Sequence, residues 1–397
     1  MISIERAIEL IGEHTSRLAP VSVPLGKALH QVLANDIVSD IDSPPYDKAL
    51  MDGFAVQAAD VLAPTTTLQV IESVMAGDVP TKPITSGTAT RIMTGGPLPE
   101  GADAVVVIEQ TSVDGDSVTI NCERNAFAEQ NLLRRGTCIE KDQVVLTAGS
   151  RLRAGQIGLL AEVGADPVAI MPRPKVSVLV TGNELVPPGE APGPGKIRNS
   201  NGPMIASLAE QDHADVTELG IGRDDPNELQ RLMQKGLEGD VLILSGGVSA
   251  GDLDLVPQTL ESCGVKQVFH KVRIKPGKPI WFGVRDQTLV FGLPGNPVSS
   301  FVCYLLFARA AVLGMQGVSN EHHWQTANMM DKFENRGDRP VYYPASRDLS
   351  NRTQIGVRLL PWKGSADLRT LAAADCLACL PARSNFAAGD PVEIMIL

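Results

Sequence analysis

Asp240-Val-Leu-Ile-Leu-Ser-Gly-Gly-Val-Ser-Ala-Gly-Asp-Leu-Asp254 is the stretch from which the rest of the chain is read. It opens on four consecutive apolar residues, Val241 to Leu244. A short apolar run between turn signals reads as a strand buried on both faces, as in a parallel sheet. The chain then turns small and polar at Ser245, Gly246, Gly247, Ser249 and Gly251. Without Cβ atoms, glycines let backbone N–H groups approach a bound anion. Asp252 suits the N-cap of a helix running to about Cys263, which leaves Asp254 as the better metal ligand. Loops at the carboxyl ends of parallel strands are where open α/β sheets bind ligands. A tight strand-to-helix turn with capping residues accounts for the same letters equally well.

The neighbouring sequence extends the pattern in both directions. Residues 176–180 read as a strand ending at Thr181-Gly-Asn-Glu184, and Asn199-Ser-Asn201 caps a helix to about Gln211. Residues 215–219 read as the next strand, followed by Gly222-Arg-Asp-Asp-Pro226. There Asp225 serves as a cap and Pro226 suits the first helical position. After the opening stretch and its helix comes His270-Lys-Val-Arg-Ile-Lys-Pro-Gly-Lys278, then a strand at 288–291, Gly292-Leu-Pro-Gly-Asn-Pro297, and an apolar helix at 298–313. Strand–helix alternation at this spacing predicts a doubly wound, mostly parallel α/β domain over 174–316.

The whole chain has 397 residues, which suits two to four domains rather than one core. Residues 2–18 carry apolar positions at helical spacing with Ser3 as cap. They open an elongated segment, 1–45, that resumes at 140–173. The β-rich residues 46–139 are read as an insertion between its two parts. Residues 317–397 read as a small β-barrel-like domain. The net charge of −11 argues against nucleic acid or an anionic membrane as partner. No apolar run reaches the roughly 18 residues of a bilayer span. The start, Met1-Ile-Ser-Ile-Glu-Arg6, has no signal-peptide pattern, so a cytoplasmic protein is expected. Six scattered cysteines fit reduced thiols. Cys376-x-x-Cys379 lies in an apolar run with no second pair, and reads as structural.

Several strand-end loops carry site-like residues: Glu184, Asp224 with Asp225, the Ser245–Asp254 stretch, Lys275-Pro-Gly-Lys278 and Pro294-Gly-Asn-Pro297. Glycine backbone and lysines hold phosphate. Carboxylates beside them repel it unless a divalent cation sits between. That pairing points to a nucleotide or phosphate ester bound with Mg²⁺. No P-loop, Gly-x-Gly-x-x-Gly or His-Glu-x-x-His pattern is present.

Together with Met51-Asp-Gly-Phe-Ala55 and Arg91-Ile-Met-Thr-Gly95, these motifs resemble the bacterial molybdopterin molybdenumtransferases, whose relatives include the E domain of gephyrin. The matching motifs occur in family order: Thr181-Gly-Asn-Glu-Leu185, Arg223-Asp-Asp-Pro226, Ser245-Gly-Gly-Val-Ser249 with Asp254, Lys275-Pro-Gly-Lys-Pro279, and Gly292-Leu-Pro-Gly-Asn-Pro-Val298. The resemblance implies an α/β domain of the molybdenum-cofactor-biosynthesis type within an elongated four-domain subunit of a homodimer. It implies an enzyme that takes adenylylated molybdopterin and molybdate, places molybdenum on the pterin dithiolene and releases AMP with Mg²⁺ assisting. On that likeness Glu184, Asp224 and Asp254 hold metal and phosphate. Gly246, Gly247 and Ser249 contact the nucleotide–pterin phosphates. Lys271, Lys275, Lys278 and the loop from Pro294 to Pro297 bind anions. Asp52 and Thr94 reach the site across the dimer, and Arg339 and Ser365 lie near molybdate. The molybdopterin adenylyltransferase and apo-molybdoenzymes are the protein partners it suggests.

The chain departs from the family pattern at Lys48-Ala49-Leu50, at Cys138, where an acid is usual, and at Tyr342-Tyr343-Pro344-Ala345. These departures keep a second reading open, a non-catalytic molybdopterin-binding or scaffold paralogue. The intact strand-end acids and lysines favour the enzyme.

Overall fold

The apolar run Val241 to Leu244 lies at the centre of a six-stranded sheet. The computed structural model describes residues 1–248, 255–319, 324–351 and 354–397. Its central sheet contains β1 (Lys175–Thr181), β2 (Asp215–Gly222), β3 (Val241–Ser245), β4 (Lys266–His270), β5 (Trp281–Arg285) and β6 (Thr288–Leu293), in the spatial order β2-β1-β3-β6-β5-β4. The first four in that order are parallel, with Val176 opposite Val241 and Val241 opposite Leu289. β5 and β4 continue the sheet antiparallel.

β3 is buried at every residue. Period-two alternation sends Val241 and Ile243 into one core and Leu242 and Leu244 into the other. Helix α1 (Asn201–Gln211) covers the first face; α2 (Pro226–Gly236) and α3 (Leu255–Ser262) cover the second. The start of α2 follows its sequence closely: the Asp225 carboxylate accepts from the Glu228 N–H at 2.8 Å, with Pro226 in the first turn. α1 is capped from the expected Asn199-Ser-Asn201 stretch, the Asn199 side chain accepting from the Gly202 N–H at 2.9 Å.

The helix α4 (Pro297–Met315) crosses the first core and widens to a π-helical turn at Tyr304–Ala308. It is the helix among the described residues that is long and apolar enough to match a membrane span, but it is mostly buried inside the protein. The N-terminal helix Ile4–His14, capped by Ser3, packs Ile4, Ala7 and Ile11 into the same core.

Three smaller layers surround this unit. Val21–Val23, Val32–Leu33 and Val168–Met171 form a three-stranded sheet whose core, built on Leu33, Leu152 and Leu160, includes the helix Ala154–Glu162. Six strands between Gly53 and Asn121 form a second sheet around Phe54, Leu68 and Val118. A Cβ on Gly53 would lie 1.9 Å from the Val106 carbonyl, so the residue after Asp52 must be glycine for the strands to meet. The tail strands Trp324–Met329, Gly356–Leu359, Val341–Asp348, Cys376–Leu380 and Pro391–Ile396 close into a barrel. Cys376 and Cys379 sit three apart on one barrel strand, hence on opposite faces, and both are free. Burial pushes the Cys376 thiol up to about 12 and the Cys379 thiol to about 11.

Candidate functional site

The carboxyl edge of the central sheet holds two clefts that share walls. The first, ≈ 610 Å³, is bounded by Glu184, Asp224, Gly246, Gly247 and Pro294. The second, ≈ 790 Å³, lies between the sheet edge and the barrel and contains Lys275, Lys278, Pro294, Arg339 and Ser365. Pro279, Pro294 and Asn296 line both. The acids Glu184 and Asp224 stand on one side of the Pro294 loop; the other side is mainly cationic, its acid Glu334 being paired with Arg336.

Local sequence dictates the first cleft. Gly246 and Gly247 follow buried Ser245 with φ of 96° and 62°, the left-handed region that glycine tolerates. A Cβ on Gly246 would sit 2.5 Å from the Thr181 carbonyl. Only glycine lets β3 turn here while pressed against the end of β1. Glu184 and Asp224 are exposed, and no cation lies within ion-pairing distance of either among the described residues. Asp224 is tied to the β1 loop by two reciprocal contacts, Asn183 N–H to its carboxylate at 3.3 Å and its own N–H to the Asn183 side chain at 3.2 Å. Two hard oxygen donors on one rim suit a hard divalent cation. Among the described residues no group of three or more His, Cys, Asp or Glu is gathered to hold a metal. Asp254 and Ser249 lie outside the described residues.

The Pro294 loop is fastened from below by side chains the sequence did not single out for this role. The Asn201 amide donates to Ser245 Oγ at 2.9 Å and to the Gly295 carbonyl at 2.7 Å. Ser245 Oγ meets Ser300 Oγ at 3.1 Å, and Ser300 donates to the Pro294 carbonyl. Buried hydroxyls of this kind rigidify a loop when each has a partner. Ser299-Ser300, a polar pair inside an apolar helix, was the available signal. Pro297 begins α4 beside this network.

The second cleft joins the basic loop to the barrel. Lys275 N–H donates to the Pro340 carbonyl at 2.9 Å, and Arg339 donates to the Ile274 carbonyl at 3.1 Å. Ser365 contributes its carbonyl to the Val298 N–H at 3.0 Å, at the start of α4. Arg336, Tyr343 and Trp362 also line this cleft, and of the three only Tyr343 falls in a stretch that departs from the family pattern. Tyr343 and Trp362 meet edge-to-face at 5.1 Å, and Phe333 flanks Tyr343 at 5.5 Å.

Lys271 lines neither cleft; its backbone bonds to Ile2 and Ile280. Asp52 and Thr94 also lie away from both clefts, but they meet each other. The Thr94 hydroxyl and N–H each donate to Asp52 at 2.7 Å. Those two bonds hold the Asp52 carboxyl below the usual carboxylate range. Cys138 is exposed and lies in neither cleft.

A multidomain α/β chain, with a closed barrel docked at the carboxyl edge of a doubly wound sheet, is the class these elements define. Three family models match in succession: the MoeA N-terminal region (domain I and II) at 2–164, a probable molybdopterin binding domain at 177–313, and the MoeA C-terminal region (domain IV) at 326–397. A molybdopterin molybdenumtransferase of Staphylococcus aureus is 34% identical over 405 residues, covering 100% of this chain and 95% of that protein. One from Staphylococcus epidermidis is 32% identical over the same share. The crystal structure of a molybdopterin biosynthesis MoeA protein from Pyrococcus horikoshii superposes with a TM-score of 0.84 at 31% identity, covering 100% of this chain and 99% of that one. This chain belongs to the MoeA, or molybdopterin molybdenumtransferase, family.

Proposed function

We propose that this chain is a molybdenum cofactor biosynthesis enzyme that places molybdenum from molybdate on the dithiolene of adenylylated molybdopterin and releases AMP, assisted by Mg²⁺. The observation that carries this reading is the pair of joined clefts: carboxylates and a glycine turn on one side of Pro294, Lys275, Lys278 and Arg339 on the other. A substrate with a nucleotide at one end and an oxyanion at the other needs both. Breaking a phosphoanhydride demands positioning and charge neutralisation more than a covalent nucleophile. Glu184 and Asp224, with Asp254, would hold Mg²⁺, which supplies positive charge beside the phosphates. Gly246, Gly247 and Ser249 orient those phosphates. Lys275, Lys278, Arg339 and Ser365 hold molybdate, and Lys271 adds to the basic field of the same loop. Asn201, Ser245 and Ser300 hold the Pro294 to Pro297 loop between the two halves.

The reading also includes a cytoplasmic homodimer in which Asp52 and Thr94 serve the partner's site. Its subunit divides into 1–45 with 140–173, 46–139, 174–316 and 317–397, with the helix Ile4–His14 docked on the third of these. Separate hydrophobic clusters support the first two divisions, whereas one cluster runs from the α/β unit into the barrel through Tyr342, Leu371, Leu377 and Met395. Protein partners are the molybdopterin adenylyltransferase and apo-molybdoenzymes.

The test is purified protein with adenylylated molybdopterin, Mg²⁺ and molybdate, followed for AMP. Molybdate-dependent release is expected, and Glu184→Gln should lower it by about a hundredfold or more. Tight pterin binding without AMP release would instead mark a non-catalytic binder. Lys275→Ala and Lys278→Ala should weaken molybdate binding more at low salt than at high, because exposed cations are screened by ions. A loss that salt does not alter, in a molybdate titration, would assign the lysine stems to packing.

A further inference from the structure

A third cavity, ≈ 580 Å³, opens where three parts of the chain meet. Ser150, Arg151 and Arg153 line it ahead of the helix Ala154–Glu162; Asp212 and His213 line it from the end of α1; Leu313 lines it from α4. α1 begins beside the first cleft and ends here, and 11 residues at 1.5 Å each set the two about 16 Å apart.

The charges in this cavity do not balance. Arg151 donates to the His30 carbonyl at 2.9 Å. Among the described residues, neither Arg151 nor Arg153 forms an ion pair with a carboxylate. Asp212, the acid on this wall, is already engaged by Arg309 Nε at 3.0 Å and by the Tyr304 hydroxyl at 2.8 Å. Arg309 is itself buried, and its Nη1 has no hydrogen-bond partner among the described residues. Arg173, which reaches Asp215 at 3.9 Å, adds to the positive field. His213 stacks on His30 with ring centroids 6.0 Å apart. Its imidazole is pushed down to about 4, by burial first and then by Arg151, Arg173 and His30. Burial also lowers the Arg151 guanidinium, with Asp212 opposing and Arg153 and Arg173 adding to the shift. A half-buried guanidinium is costly without a counter-charge.

We propose that this cavity is a binding site for a tetrahedral oxyanion, held by Arg151 and Arg153 beside His213. The guanidinium fork matches oxyanion geometry and can bond two oxygens at once. Phosphate, free or carried on a small molecule, and molybdate share this chemistry. The anion supplies the counter-charge the arginines lack and bridges the elongated segment to the α/β unit.

Selective ¹³C labelling of histidine in the full-length chain reads the site directly. Inorganic phosphate and molybdate are titrated in separate arms at constant ionic strength. The His213 signal should shift saturably, and its titration should move to higher pH, because a nearby anion favours the protonated ring. Arg151→Gln with Arg153→Gln should weaken that response at least about tenfold. Arg153→Gln alone, at an exposed side chain, should weaken it in the same direction should the double variant fail to fold. Tighter molybdate assigns the site to the substrate oxyanion, and tighter phosphate to a phosphate group. A His213 signal that neither anion moves up to about 20 mM overturns the proposal. A shift that survives loss of both arginines overturns it equally.

Discussion

Arg309→Leu is expected to destabilise the α/β unit by about 3–5 kcal/mol, read as a lower midpoint in urea. The reason is the company Asp212 keeps. Its carboxylate and the Arg309 side chain are each 6% exposed and 3.0 Å apart. Removing the guanidinium leaves a buried carboxylate with the Tyr304 hydroxyl and only the more distant Arg151 as counter-charge. The π-helical turn at Tyr304–Ala308 is what brings this about. In a regular helix, residues five apart point to different sides; the wider turn lets Tyr304 and Arg309 reach the same acid. Asp212→Asn should cost a similar amount, since it strands the guanidinium instead. Replacing the group together, with Asp212→Leu, Arg309→Met and Tyr304→Phe, should recover most of the loss, because a buried ion pair contributes little over well-packed apolar residues. Equal midpoints for wild type and Arg309→Leu would show that the pair is not sealed from water.

The parts of this fold that local letters decide were legible. Val241 to Leu244 announced a strand buried on both faces, and the two cores divide those four side chains between them. Asp225-Pro226 announced a helix start, and the cap is made. What escaped was set by partners distant in sequence. The strands Lys266–His270 and Trp281–Arg285 flank the basic loop, and their mixed residues show no clean alternation, since one is the sheet's outer edge. The tail read as a small β-barrel-like domain and it does close, but the pairing that closes it, Trp324–Met329 with Pro391–Ile396, joins strands more than sixty residues apart that no local letters match. The lining of the second cleft by Arg336 and Trp362 follows from that closure, so no local pattern marks it. The lone arginine in Tyr304-Leu-Leu-Phe-Ala-Arg-Ala-Ala-Val-Leu313 is a local signal of a buried charge. A charge in an apolar helix requires a buried partner, which here is Asp212.

Mixing two inactive proteins is expected to restore activity. Asp52 and Thr94 bond to each other on the β-rich sheet, away from both clefts of their own subunit. Gly53 is required there by the approach of Val106, whereas Asp52 is exposed and no close packing requires it. The paired Asp52 carboxyl stays ionised below the usual carboxylate range, ready to meet a group from outside the subunit. A two-fold partner presents the same segment to both sites. On this proposal Asp52→Ala and Glu184→Ala are each inactive in AMP release. Each subunit's α/β site borrows Asp52 from the other, so a heterodimer of the two variants keeps one complete site and loses both groups from the second. Random exchange of equal amounts makes half of the dimers mixed, so about a quarter of wild-type activity should return. The mixture is assayed after exchange, with heterodimer formation followed by distinct affinity tags. Heterodimers that form but release no AMP would place Asp52 outside the partner's site. A chain that is monomeric by light scattering at assay concentration would rule out the shared site altogether.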